Sequence, residues 1–196
     1  AEPNGGHGME QVTIAAAAFV GTHFLLSHPL RAPLVARLGA NGFLGLYSLV
    51  AFATLGWLAH AYGRVPDEAP LWAVGDGLWA LGTAVMLVAS ILFVGSLIGN
   101  PAFPGPPGAA KPVPTPRGVF AITRHPMMWG FGLWGLVHIA VLPTPANIVL
   151  SGAIVVLALV GAALQDRKKA ALDPGFWVEW KRRTSYWPFA AIVAGR

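Results

Sequence analysis

Five stretches of about 20 apolar residues, separated by charged or proline-rich connections, restrict this chain to a small set of folds. A helix of that length crosses a hydrocarbon layer about 30 Å thick. Inside lipid, every backbone polar group must also find its partner within the protein. The stretches are Val12 to Ser27 (extended by Pro29 and Leu30), Gly42 to Tyr62, Gly77 to Ile98, Pro126 to Leu142, and Ala146 to Gln165. The expected fold class is therefore all-α: a polytopic membrane helical bundle with about five transmembrane helices. Only 11% of the 196 residues are charged, against roughly 25% in soluble domains. A surface in water could not be covered with so few.

The connections divide the chain. Ala1 to Gly8 is polar and glycine-rich, and Met9 reads as the natural start, so residues 1–8 are set aside as sequence added ahead of it. Residues 9–192 form one domain, with 193–196 as a tail. Pro101 to Pro116 holds seven prolines and cannot be helical, so it is expected as an extended surface connection. Gly95 to Gly99 has the small-xxx-small spacing of a helix-packing motif. Leu71 to Asp76 is expected at the interface, and Asp166-Arg167-Lys168-Lys169 is expected to stop transfer.

Loop charges set the orientation. Arg31 and Arg37 follow span one; Lys111, Arg117 and Arg124 precede span four; six Lys and Arg residues between Arg167 and Arg183 follow span five. The other two loops hold only Arg64, opposed by Asp67 and Glu68, and no charge at all. Basic residues on alternate loops place the N-terminus outside and the C-terminus in the cytoplasm. The net charge of +5 then reflects cationic loops facing anionic lipid, so membrane lipid is the expected partner and nucleic acid is not.

Ionisable groups within a membrane are costly and are functional candidates. The spans contain no Lys or Arg; histidine supplies their ionisable groups, as His23, His60 and His138, with His28 and His125 at the inner boundary. A neutral imidazole is cheap to bury and is a common metal ligand, although a single one also serves as a helix-to-helix hydrogen bond. Counted from the inner helix ends, His23 lies ~12 Å deep, His138 ~18 Å and His60 ~27 Å. Similar depth singles out His23 and His138 as two axial ligands of one buried iron porphyrin. Trp134, Gly135 and Phe131 lie near His138 at helical spacing and are expected to line the cofactor. Gly130, Gly132 and Gly135 either leave room for it or pack helices. The absence of cysteine excludes thiolate ligands.

Arg124-His125-Pro126 offers a guanidinium and an imidazole to an anionic group at the inner boundary, which adds Arg124 and His125 to the cofactor-binding candidates. Between Phe176 and Phe189, aromatic and basic residues interleave. That pattern suits an interfacial helix or a cap beneath a cofactor pocket.

The run Ile122-Thr123-Arg124-His125-Pro126-Met127, with Trp129-Gly130 and Leu136-Val137-His138, resembles the signature of the NnrU family, which includes the ζ-carotene isomerases. Asp166-Arg167-Lys168, Lys181 to Ser185 and Pro188 to Ile192 extend the resemblance, as do His23, Ser27 and Leu30-Arg31. It implies a multi-pass protein of the bacterial inner membrane that binds haem b. By motif position the haem ligands fall on His23 and His138. The implied activity is cis-trans isomerisation of a carotenoid-like polyene, a hydrophobic substrate, or a role in nitrite and nitric oxide metabolism. A non-enzymatic haem carrier or sensor is a further reading. Gly135 departs from the isomerases, which carry a cysteine there. Arg-His-Pro is also similar to a motif of the isoprenylcysteine carboxyl methyltransferases, which implies S-adenosylmethionine at Arg124, His125 and Asp166 as the alternative. Met128 departs from the tyrosine of that motif.

The orientation is testable in this cysteine-free chain. Cysteines introduced at Ala69 and Ala170 should react with an impermeant thiol reagent from opposite sides of sealed vesicles. Reaction of both from the outside would refute it.

Overall fold

The computed structural model describes residues 4–103 and 112–195, and helices are the only regular elements among them. They are α1 (Asn4–Ser27), α2 (Arg31–Tyr62), α3 (Asp76–Gly95), α4 (Val119–Ile122), α5 (Pro126–Val141), α6 (Pro145–Leu172), α7 (Pro174–Arg183) and α8 (Ala190–Val193). Four of them, α1, α2, α3 and α6, are long and apolar enough to cross a membrane; α5 is equally apolar but only 16 residues long. These are the helices of a multi-pass membrane protein.

Each expected span coincides with a helix, but the ends differ for local reasons. α1 begins at Asn4, inside the segment set aside as extraneous, and Gly8 lies beside Val65 and Pro66, where a Cβ would make ordinary contacts. α2 starts at Arg31, so the basic connection after α1 is helical. It breaks at Gly39, where φ is 71° and ψ is 171°, a conformation that glycine adopts without steric cost. α3 stops at Gly95, and Gly99 lies beyond it at φ 66°. The two glycines therefore share no helix face, and the packing motif expected there is not formed. Gly95 alone makes a close contact: a Cβ there would meet Val119 at 2.7 Å. Leu71 to Gly75 is irregular, held by Leu71 N donating to Pro143 O at 2.8 Å and Trp72 Nε1 donating to Ala140 O at 3.0 Å. Pro126 opens α5, as a residue without an N–H can. α6 runs on past Gln165 through the basic cluster to Leu172.

The chain forms two compact units. The first comprises residues 1–82 and 135–157. Its core joins Val12, Ala15, Ala16 and Phe19 of α1 to Leu58 and Ala61 of α2, with Val149 to Leu157 of α6 packed against them. The second comprises residues 83–134 and 158–196, with Leu92, Val119, Phe120, Trp129, Trp177 and Trp180 at its core. Asp173 caps α7 by accepting from Phe176 N. The two tryptophans of α7 are almost wholly buried in that core while Val178, Lys181 and Arg182 are exposed. The aromatic face of α7 thus packs on protein.

The three glycines of α5 are packing surfaces. A Cβ on Gly130 would meet Ala89 O at 2.9 Å, one on Gly132 would meet Leu159 at 3.0 Å, and one on Gly135 would meet Val155 at 2.6 Å and Ser151 O at 2.9 Å. Without a hydrophobic drive between helices in lipid, such close backbone approach is how they associate. Gly135→Ala should therefore destabilise the protein by ~1–3 kcal/mol, the usual cost of overpacking. Gly56→Ala, where nothing lies within 4 Å, should be neutral or stabilise by up to ~1 kcal/mol through helix propensity. Thermal unfolding in detergent checks both, and an equal response of the two variants would contradict the packing described.

Candidate functional site

Two clusters gather the candidate residues, one in each unit. In the first unit, His23 lies on α1 with its Nδ1 2.6 Å from the carbonyl oxygen of Phe19. Nδ1 must carry the proton to make that bond, which leaves Nε2 with its lone pair, the tautomer a metal requires. The ring stands edge-on to Phe19 at 4.5 Å and to Tyr47 of α2 at 5.5 Å. The Tyr47 ring lies 6.0 Å from that of buried Phe43 and tilted by 39° to it, and the Arg31 guanidinium lies over Phe43 at 5.7 Å. Ser27 donates to the His23 carbonyl oxygen. Sequence reading missed Phe43 and Tyr47. Their spacing of four on one helical face was the available signal.

His138 belongs to the same unit. It lies one turn before the end of α5, where Asn147 Nδ2 donates to the carbonyl oxygens of His138 and Leu142 at 2.8 and 2.7 Å. Gly82, six residues into α3, faces Val137 and Val141 on either side of it.

The surroundings of His138 differ from expectation. Gly135 is filled by α6, so it leaves no space for a flat guest. Phe131, in the second unit, is 41% exposed and packs on Phe93 at 5.2 Å. Trp134 is partly buried. His60, near the end of α2, lies 3.4 Å from Arg64 on the exposed surface.

The second cluster is built on Asp166 of α6. Arg124 Nε donates to its two oxygens at 3.0 and 2.8 Å, and Arg124 NH2 to Oδ2 at 2.5 Å. His125 Nε2 lies 2.8 Å from Oδ1. All three residues are less than 9% exposed. The backbone around them is stitched to the C-terminal segment. Arg124 N donates to Ser185 O, Thr123 Oγ1 and Trp129 Nε1 both donate to Tyr186 O, and Phe189 N donates to Ile122 O. Burial, and then the Asp166 carboxylate, push the Tyr186 phenol above its usual range. Arg124 and His125 were expected to face an anionic ligand. The anion they meet is the protein's own carboxylate, so they close a buried clamp and offer no open anion site. That removes the geometric basis for a cofactor bound at Arg124 and His125. In contrast, Glu179 is only partly buried and is held down to about 2 by hydrogen bonds from Arg182 and Arg183.

Asp166→Asn should leave the Arg124 cation buried without its counter-ion, a loss of ~3–5 kcal/mol. The double variant Arg124→Leu/Asp166→Leu should regain a large part of it. Glu179→Gln should change the unfolding midpoint little, because exposed pairs contribute little. A mild effect of Asp166→Asn in thermal unfolding would contradict the clamp.

Comparison with known proteins assigns the chain a family. Among curated proteins, the chloroplastic 15-cis-zeta-carotene isomerase of Zea mays is 35% identical over 79 residues, which is 40% of this chain and 22% of that protein. The chain thus spans about a fifth of the length of the curated relative it matches. No solved structure matches it. The family model described as NnrU protein matches residues 11–196, nearly the entire sequence. The chain belongs to the NnrU family.

Proposed function

We propose that this chain is a five-span protein of the bacterial inner membrane, with α5 as its short fifth span, an external N-terminus and a cytoplasmic C-terminus, and that it binds haem b through His23 and His138. The observation that carries the proposal is the fixed tautomer of His23: Nδ1 is engaged by the Phe19 carbonyl, so Nε2 is ready to ligate. The aromatic rings of Phe19 and Tyr47 beside it suit a flat apolar group. Arg31, over Phe43, supplies a cation near the same end of α1 for an acidic edge. His138 is the second ligand that the family pattern implies. Haem would supply the iron chemistry; the protein would supply ligation, orientation and a dry apolar setting. A hydrophobic substrate would enter laterally from lipid. The curated relative's name supports a polyene isomerase reading, and a haem carrier in nitrite or nitric oxide metabolism is the second.

Visible absorption of the purified protein tests this directly. A Soret band is expected, and either His23→Ala or His138→Ala should abolish it or shift it to a five-coordinate form. Tyr47→Leu should shift the band without abolishing it, because it alters the wall and leaves the ligand. Protein that carries no haem when expressed with haem in excess would overturn the reading. Loss of the band on His138→Ala but not on His23→Ala would move the site to α5.

A further inference from the structure

The second unit carries a groove of about 630 Å³ between the end of α3 and the segment that enters α4. That volume is within the range of ligand sites, ~300–1,000 Å³. Its wall is Ile91, Val94 and Ile98, all more than half exposed. Its floor is closed where Val119 packs onto Gly95. Arg117 stands at the rim and is exposed. The lining is otherwise apolar apart from Ser90, whose hydroxyl is engaged by the Met86 carbonyl oxygen. Gly118, at φ 55°, turns the chain between Arg117 and the floor.

Charge decides what fits. The second unit holds ten of the 13 Lys and Arg residues and three of the eight Asp and Glu residues. Those three carboxylates are engaged elsewhere: Asp166 with Arg124 and His125, Asp173 with the first turn of α7, and Glu179 with Arg182 and Arg183. None is left in this unit to neutralise Arg117. An apolar trough on a lipid-facing helix with a cation at one end complements an acyl chain joined to an anionic headgroup.

We propose that this groove binds one anionic phospholipid, its acyl chain along Ile91, Val94 and Ile98 and its phosphate at Arg117. The site is independent of the haem reading, because it shares no residue with the His23 cluster.

The test uses the whole protein in neutral detergent micelles. Phosphatidylglycerol and phosphatidylcholine with identical acyl chains are titrated separately, with thermal unfolding as the readout. Both lipids carry a phosphate, but the choline cation of phosphatidylcholine offsets its charge and competes with Arg117, so phosphatidylglycerol should bind about ten-fold more tightly. Arg117→Gln should bring that ratio close to one while phosphatidylcholine binding persists. Val94→Trp, which fills the trough, should weaken both lipids; should that variant misfold, Ile98→Trp at the exposed end replaces it. Lys181→Gln, exposed and outside the groove, should keep the ten-fold preference. Glycerol 3-phosphate should not stabilise the protein, which distinguishes a lipid site from a phosphate site. A preference that survives Arg117→Gln, or lipid binding unaffected by a filled trough, overturns the proposal.

Discussion

A single buried carboxylate organises the second unit. Asp166 is the only acid among the described core residues, and it sits where α6 leaves its apolar stretch. An unpaired ion there would be intolerable, so it draws in both a guanidinium and an imidazole. Because Arg124 and His125 are adjacent and precede α5 directly, pairing them fixes where that helix starts. The peptide bonds on either side are then close enough to the C-terminal segment to share hydrogen bonds with it. A chain with few charges has brought two of them, with an imidazole, to one point, and the local geometry follows.

The apolar side of the structure rests on a different principle. Lipid gives helices no reason to avoid it, so contacts between them come from shape, and glycine provides the shape. Along α5 three glycines meet three separate neighbours, α3 and two turns of α6, at distances no larger residue would allow. The same residues looked like room for a guest because a missing side chain reads alike whether a ligand or a helix fills the gap.

That ambiguity explains what could be read in advance and what could not. The spans were legible because bilayer thickness fixes helix length and charge fixes the connections. The ends were not, since Gly39 breaks a helix through its backbone angles and Asn147 caps another with a side chain that looks like any polar residue. Depth along a span was legible only relative to that span's own end, and nothing in the sequence relates the end of α1 to the end of α5. Asp166 was visible as an acid beside basic residues, but its partners lie 41 and 42 positions away, beyond the reach of local patterning.

The core of the first unit has an implication for biosynthesis. Val12 to Phe19 are packed by α2, which follows at once, and by Val149 to Leu157, more than a hundred residues later. A ribosome delivers α1 and α2 well before the helix that completes their core. Until then, the α1–α2 hairpin must reside in the bilayer with lipid, or a chaperone of the insertion machinery, against a surface shaped for protein. Folding of this unit is therefore gated by translation of α6, and truncated chains that end before it would be left with an unfinished face and become substrates for membrane quality control.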